Sequence, residues 1–265
     1  MGLLENIGRR TLNGLAYLGG LAQLGSRALY FGFAHPLERR PVHPERAVHQ
    51  AMAVGVEALP ILSLITFFVG GIIALQAAYE LRQFGAMQEV ADAVAIAMTR
   101  ELGPLMTAVL VIGRSGSAFA AEIGTMKVNE EIDALETMAV HPIPFLVTPK
   151  FVAMLVMLPC LTGWSDFMGI LGGMLFGVTS AGFSVASYIR ATFDALLLRD
   201  VITGLVKSVM FGGVITAVGC HEGFSTGGGA EQVGRSTTSA VVMSIFLVIV
   251  VDAIFTVIFY FTSGS

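Results

Sequence analysis

Five stretches of the chain stay apolar long enough to cross a bilayer, which takes about 20 mostly apolar residues. They are Leu59 to Ala78, with no charge; Leu102 to Ala121, with only Arg114; Phe151 to Val178, with only Asp166; Val201 to Cys220, with Lys207; and Thr237 to Phe261, with Asp252. Residues 1–50 follow another pattern. Leu3, Leu4, Ile7, Leu12, Leu15, Leu18, Leu21 and Leu24 recur at helical spacing, while Glu5, Arg9, Arg10 and Arg27 interrupt any continuous apolar run. This predicts an amphipathic helix in the membrane interface rather than a cleavable signal peptide. His35-Pro36 and Pro41 to Pro44 predict a rigid polar elbow before the first span. The expectation is an all-α membrane protein, with an interfacial segment over 1–50 and a five-span domain over 51–265.

Composition agrees with a bilayer as the solvent. The 265 residues are 55% hydrophobic and 13% charged, with mean hydropathy +0.78, whereas a soluble domain carries roughly 25% charged residues. A net charge of −4 leaves no basic excess to neutralise a nucleic-acid backbone. Cys160 and Cys220 lie in apolar runs and form no disulfide framework, and none of the five histidines has a ligand-spaced partner, so no metal is expected. Six arginines precede the first span, at 9, 10, 27, 39, 40 and 46, which argues for a cytoplasmic N-terminus. Alternation then puts nine Lys and Arg inside against four outside, and the C-terminus on the outer side.

No catalytic constellation stands up. Gly229 to Ser236 has the spacing of a phosphate-binding loop with Arg235 in place of lysine, but it lies between two apolar spans instead of between a buried strand and a helix. It reads as a glycine-rich cytoplasmic turn. Gly113-Arg114-Ser115-Gly116-Ser117 lacks the last glycine of a nucleophile elbow, and His221-Glu222 lacks the second histidine of a zinc protease.

An unpaired ionised group at the bilayer centre costs at least about 2.5 kcal/mol. Arg114, Asp166, Lys207 and Asp252 balance in sign, so one reading is a set of internal salt bridges that fix helix packing. The other makes Lys207 and Asp252 a polar gate. Gly169, Gly173 and Gly177 form a small-residue face for close helix packing, within the chain or against a neighbour.

The segment Arg100 to Pro149 begins as a span, with small residues around Arg114, and turns polar after Glu122. Asn129 is the expected N-cap of a short amphipathic helix of about 11 residues. Glu130, Glu131 and Asp133 stand in its first turn, Ile132, Leu135 and Met138 share a face, and Pro142 ends it. Such a helix serves either as a lid on the bundle end or as a docking element for a cytoplasmic partner.

The run RELGPLMTAVLVIGRSGSAFAAEIGTMKVNEEIDALETMAVHP closely resembles the signature of the MlaE/YrbE-type permeases, the membrane subunits of ABC transporters that work with Mce-domain proteins. The resemblance continues in KSVMFGGVITAVGCHEGFSTGGGAEQVGRSTTSAVV and covers essentially everything after the N-terminal helix. Ile112 stands where the family more often has Ala, and Ala139 where it often has Gly; both read as apolar swaps. The resemblance implies an interfacial elbow helix plus five spans, a homodimer, and phospholipid moved between the inner and outer membranes. It makes Glu130 to Ala139 a coupling helix in the groove of a cytoplasmic ABC ATPase, involving Asn129, Glu130, Glu131, Asp133, Leu135 and Met138. It places a lipid cavity at the dimer interface, lined by the first, second and fifth spans. Lipid tails are then expected against Leu64, Phe67, Phe68, Ile72 and Leu75, with Gln76, Arg100 and Glu101 nearer the headgroup. ATP and Mg would bind the partner ATPase, leaving no cofactor in this chain. A periplasmic Mce-domain protein completes the expected assembly, with room for a small STAS-domain protein on the ATPase. The implied location is the bacterial inner membrane, with the C-terminus periplasmic.

Five spans with no internal repeat do not suit a one-chain inverted-repeat transporter, whereas two copies around a two-fold axis enclose a central cavity. The competing classes are an ATPase-independent secondary transporter of a hydrophobic or amphipathic solute, an intramembrane lipid enzyme, and a membrane scaffold.

Overall fold

A computed structural model describes residues 3–34, 44–182 and 184–263, and these are helical with no strand among them. The chain opens with α1 (Leu3–Leu29) and a π-helical turn, Tyr30–Ala34. The expected elbow from His35 to His43 lies outside the described residues. Pro44 opens α2 (Pro44–Gly55), where its fixed φ and missing N–H suit the first helical position. A 3₁₀ turn, Val56–Ala58, leads into α3 (Leu59–Gln83).

The second span is segmented. It runs through α4 (Val90–Ala97), a π turn (Met98–Leu102), α5 (Gly103–Val111), a second π turn (Ile112–Gly116) and α6 (Ser117–Val128). The short α7 (Glu131–Thr137) follows. A further π turn, Ile143–Val147, feeds α8 (Thr148–Ala181), and α9 (Val185–Ala195), α10 (Leu198–Phe224) and α11 (Ala230–Ser263) complete the order. Among the described residues, five helical runs are long and apolar enough to cross a membrane: Glu45–Gln83, Met87–Val128, Ile143–Ser180, Leu198–Phe224 and Ala230–Thr262. Each contains one apolar window and extends beyond it, because backbone hydrogen bonding continues where side chains become polar.

Two local readings change. Residues 230–236, expected as a turn, are the first turns of α11, where Arg235 pairs with Glu231 at 2.8 Å one turn away. The sequence pattern also leaves α9 unrecognised. It is capped by Ser184, whose hydroxyl oxygen accepts the Ser187 N–H at 3.1 Å, and it buries Tyr188 and Thr192.

The chain divides into two compact units. One comprises Met1–Gln50, Arg114–Ala153 and Gly213–Ser244. Its core includes Phe119, Ile123, Val147, Phe151, Ile215 and Val218. Here α1 is moored through Tyr17, whose hydroxyl donates to Glu222 Oε1 at 2.7 Å and whose ring meets His221 edge-on at 5.0 Å. Leu21 is buried while Leu12, Leu15 and Leu18 are exposed, an apolar stripe that suits a membrane interface.

The other unit comprises Ala51–Gly113, Met154–Gly212 and Ile245–Ser265. Ala74, Ala78, Val90, Val94 and Met98 form a buried cluster in it. A Cβ on Gly70 would strike the backbone of Gly169, and one on Gly172 the backbone of Phe67. Helices α3 and α8 therefore approach backbone to backbone, which only glycine permits. Gly169 rests on Met98 and Gly173 on Val94 and Tyr188, so this part of the small-residue face is used within the chain.

Candidate functional site

Both π turns of the second span carry ionisable residues: Arg100 and Glu101 in one, Arg114 in the other. A π turn frees backbone carbonyls and rotates the following side chains, and such turns concentrate at functional sites. Pro104 follows the first and has no N–H to return to the Arg100 carbonyl, which is a local reason for the widened turn.

Arg100 Nε donates to Asp200 Oδ1 at 2.6 Å, and Asp200, in the first turn of α10, also accepts the Leu197 N–H at 3.3 Å. Seven residues along the same face stands Lys207, fully buried. Its Nζ lies 2.6 Å from Glu101 Oε2, 3.0 Å from Asp252 Oδ1 and 2.9 Å from Thr256 Oγ1. The Thr256 hydroxyl donates in turn to Glu101 Oε1 at 3.1 Å. Asp252 and Thr256 are one turn apart on α11, so three spans meet at one ammonium. Arg100, Lys207 and Arg199 balance Glu101, Asp200 and Asp252, and a small cavity of about 150 Å³ opens over the group beside Phe259 and Tyr260. The site holds charge in mutual pairs without a nucleophile–base pair, and among the described residues no group of histidine, cysteine and carboxylate side chains could hold a metal.

The placement of the expected residues is uneven. Lys207 and Asp252 do meet, but Glu101 joins them. Asp166 is buried against Gly103 with no hydrogen-bond partner for Oδ1 among the described residues, and Arg114 belongs to the other unit. Asp200 and Thr256 went unread because Asp200 precedes the apolar window and threonine is unremarkable in a span. Their signal is register: Asp200 with Lys207, and Asp252 with Thr256, repeat at helical spacing.

On α3, Leu64, Phe68, Ile72, Leu75 and Gln76 lie on an exposed stripe. Phe67 departs from it, packing on Phe176 with ring centroids 6.4 Å apart. The part of α11 within this unit exposes Ile249, Val250, Ile254, Val257 and Ile258. Only 11% of the apolar window of this last span is buried, the lowest share among the five spans.

The amphipathic helix is shorter than expected, at seven residues. Asn129 is not its cap. Glu130 occupies that position with φ of 59°, in the left-handed region, and Asn129 Nδ2 donates to Glu131 Oε1 at 3.2 Å. Lys127 pairs with Asp133 at 3.1 Å. Ile132 is buried, Leu135 half-buried and Met138 exposed, so the apolar face fades toward the C-terminal end. The helix ends at Thr137, and Ala139, two residues on, has a φ of 58°; Pro142 starts the next helix instead of stopping this one. The Ala139 position is thus a backbone matter, not the neutral apolar swap expected. Glu130, Glu131, Asp133 and Glu136 leave an exposed acidic surface.

Five apolar helices with ionised groups paired between them define a multi-pass helical membrane protein. The family model described as Permease MlaE matches residues 47–258. A probable ABC transporter permease protein of Rickettsia conorii is 38% identical over 260 residues, covering 97% of this chain and 98% of the relative. A protein of the same description from Synechocystis is 39% identical over 218 residues, 82% of each chain. The Arabidopsis thaliana protein Trigalactosyldiacylglycerol 1, chloroplastic, is 34% identical over 224 residues, 84% of this chain and 64% of that protein. The chain belongs to the MlaE permease family and is a non-catalytic membrane subunit of an ABC transporter, a role that implies a partner ATPase.

Proposed function

We propose that two copies of this chain form a phospholipid pathway in the bacterial inner membrane, driven by a cytoplasmic ABC ATPase and continued outside by an Mce-domain protein. The observation that carries this reading is that one unit holds both the Arg100–Asp200 and Glu101–Lys207–Asp252 pairs and the exposed apolar stripes of α3 and α11. An amphiphile needs such a surface: apolar walls for acyl chains and charge pairs that can open toward a headgroup. The Arabidopsis relative has a galactolipid in its name, which favours a lipid over a small polar solute.

The acidic surface of α7 is the docking element for the ATPase, seated in a groove and pushed when nucleotide binds. With the N-terminus cytoplasmic, α7, between the second and third spans, faces the cytoplasm. ATP-driven movement of α7 would shift the second span, whose first π turn holds Arg100 and Glu101, and so exchange partners within the cluster.

Reconstitution tests this. The permease co-purified with its ATPase should transfer a fluorescent phospholipid out of proteoliposomes only with ATP, and Lys207→Ala should abolish transfer. Solute movement by the permease alone would instead indicate a secondary transporter.

A further inference from the structure

A second polar cleft, of about 390 Å³, shares no residue with the charge cluster. It is formed by the start of α2, the end of α6 and the π turn that leads into α8. These segments flank the apolar windows of the first three spans: Glu45 to Gln50 precede one, Glu122 and Met126 follow another, and Phe145 to Lys150 precede the third. The cleft therefore lies at headgroup depth, not in the hydrocarbon.

Its chemistry is mixed in a specific way. Lys150 is buried, its Nζ held 2.6 Å from Glu122 Oε2 and 5.0 Å from the centre of the Phe119 ring. Arg46, at an exposed position, lies over Phe145 at 3.8 Å, a stacking contact that uses the face of the guanidinium and not its edge donors. An oriented guanidinium edge matches two oxygens of a phosphate. His49 stands one turn from Glu45 on the same wall, and Met126 and Leu146 add apolar surface. Arg46 and Lys150 share the cleft with Glu45 and Glu122, so it has no net charge to hold a simple anion and offers both donors and acceptors.

We propose that this cleft binds the phosphoethanolamine headgroup of a phospholipid from the adjacent leaflet. The phosphate lies against Arg46 and His49, the ammonium against Glu45 and the second oxygen of Glu122, and the first methylenes of the tails leave over Met126 and Leu146. Lys150 acts as a positioning residue that fixes Glu122. This is a site separate from the transport pathway, and its test reads binding, so its failure leaves the transport reading intact.

The delipidated permease–ATPase complex in detergent is titrated with dioleoylphosphatidylethanolamine, dioleoylglycerol and free phosphoethanolamine, following Tm. A photoactivatable phosphatidylethanolamine, reactive near its headgroup, then locates the site by peptide mapping. Phosphatidylethanolamine should raise Tm and label peptides containing residues 45–50 or 145–150. Dioleoylglycerol should bind at least about tenfold more weakly, the loss expected for removing one charge-assisted contact. Arg46→Ala and His49→Glu, both at exposed positions, should each lower the affinity about tenfold or more and remove the label. Unchanged labelling in both variants, or labelling confined to residues 199–207 and 256–260, overturns the proposal. Equal stabilisation by free phosphoethanolamine at the same concentration overturns the lipid assignment in favour of a soluble phosphate compound.

Discussion

Lys207 Nζ lies 2.6 Å from Glu101 Oε2 and 3.0 Å from Asp252 Oδ1, a single buried cation shared by two carboxylates from different spans. Glu101 is partly exposed and Asp252 less so, so the two acids differ in how readily water could replace the ammonium.

Lys207→Met leaves both carboxylates uncompensated and should destabilise the protein by about 3–5 kcal/mol. Adding Glu101→Gln should recover part of the loss, because the second change removes one stranded charge. Denaturation midpoints of the two single variants and the double variant in detergent measure this coupling; strictly additive losses would show that the pair does not interact.

Ala139 has a φ of 58°, in the region that L-residues with a Cβ enter at a cost of roughly 1 kcal/mol. Ala139→Gly should raise stability by about 0.5–1 kcal/mol without touching any side-chain contact. A higher Tm for this variant, with unchanged ATPase association, is the expected outcome.

The close approach of α3 and α8 leaves no room at Gly70 or Gly172. Gly172→Val should cost at least about 2 kcal/mol through forced separation of the two helices. Yield of folded protein by fluorescence-detected size exclusion reports it, with Gly163→Ala, where a Cβ meets nothing, as the tolerated comparison.

Glu131 and Glu136 are exposed on α7. Their reversal to lysine should change Tm little, within about 0.5 kcal/mol of stability, yet weaken co-purification of the ATPase. If the ATPase stays bound at wild-type stoichiometry, docking lies elsewhere.

Burial first, and the hydrogen bond with Glu222 second, hold the Tyr17 phenol above its ordinary value. A folded-state value raised above the unfolded one of about 10 means that this contribution is complete below pH 10 and is lost only as pH rises through the folded value. Tyr17→Phe should therefore cost about the same, roughly 1 kcal/mol, at pH 7 and pH 9. Faster hydrogen exchange along α1 in this variant would locate the loss at that helix.

The five spans were readable one at a time because the bilayer imposes its rule locally: a helix in hydrocarbon must be apolar along its own length, whatever it packs against. The lone charges were readable for the same reason, as exceptions that need a partner. Which partner was another matter. Lys207 meets Glu101 across 106 residues of sequence and Thr256 across 49. Asp166, equally conspicuous in sequence, has no hydrogen bond to its buried oxygen among the described residues. Pair selection depends on the rotation and depth at which spans pack: the π turn that carries Glu101 has a local cause in Pro104, but which cation Glu101 meets does not. The acidic character of Glu130, Glu131 and Asp133 likewise stood in the sequence, but the left-handed backbone at Glu130 and Ala139 did not. Composition along each helix determined that this chain lives in a membrane and where it crosses; tertiary packing decided which charges touch, which helix faces stay open and how short α7 is, because those depend on distances between segments that no local pattern encodes.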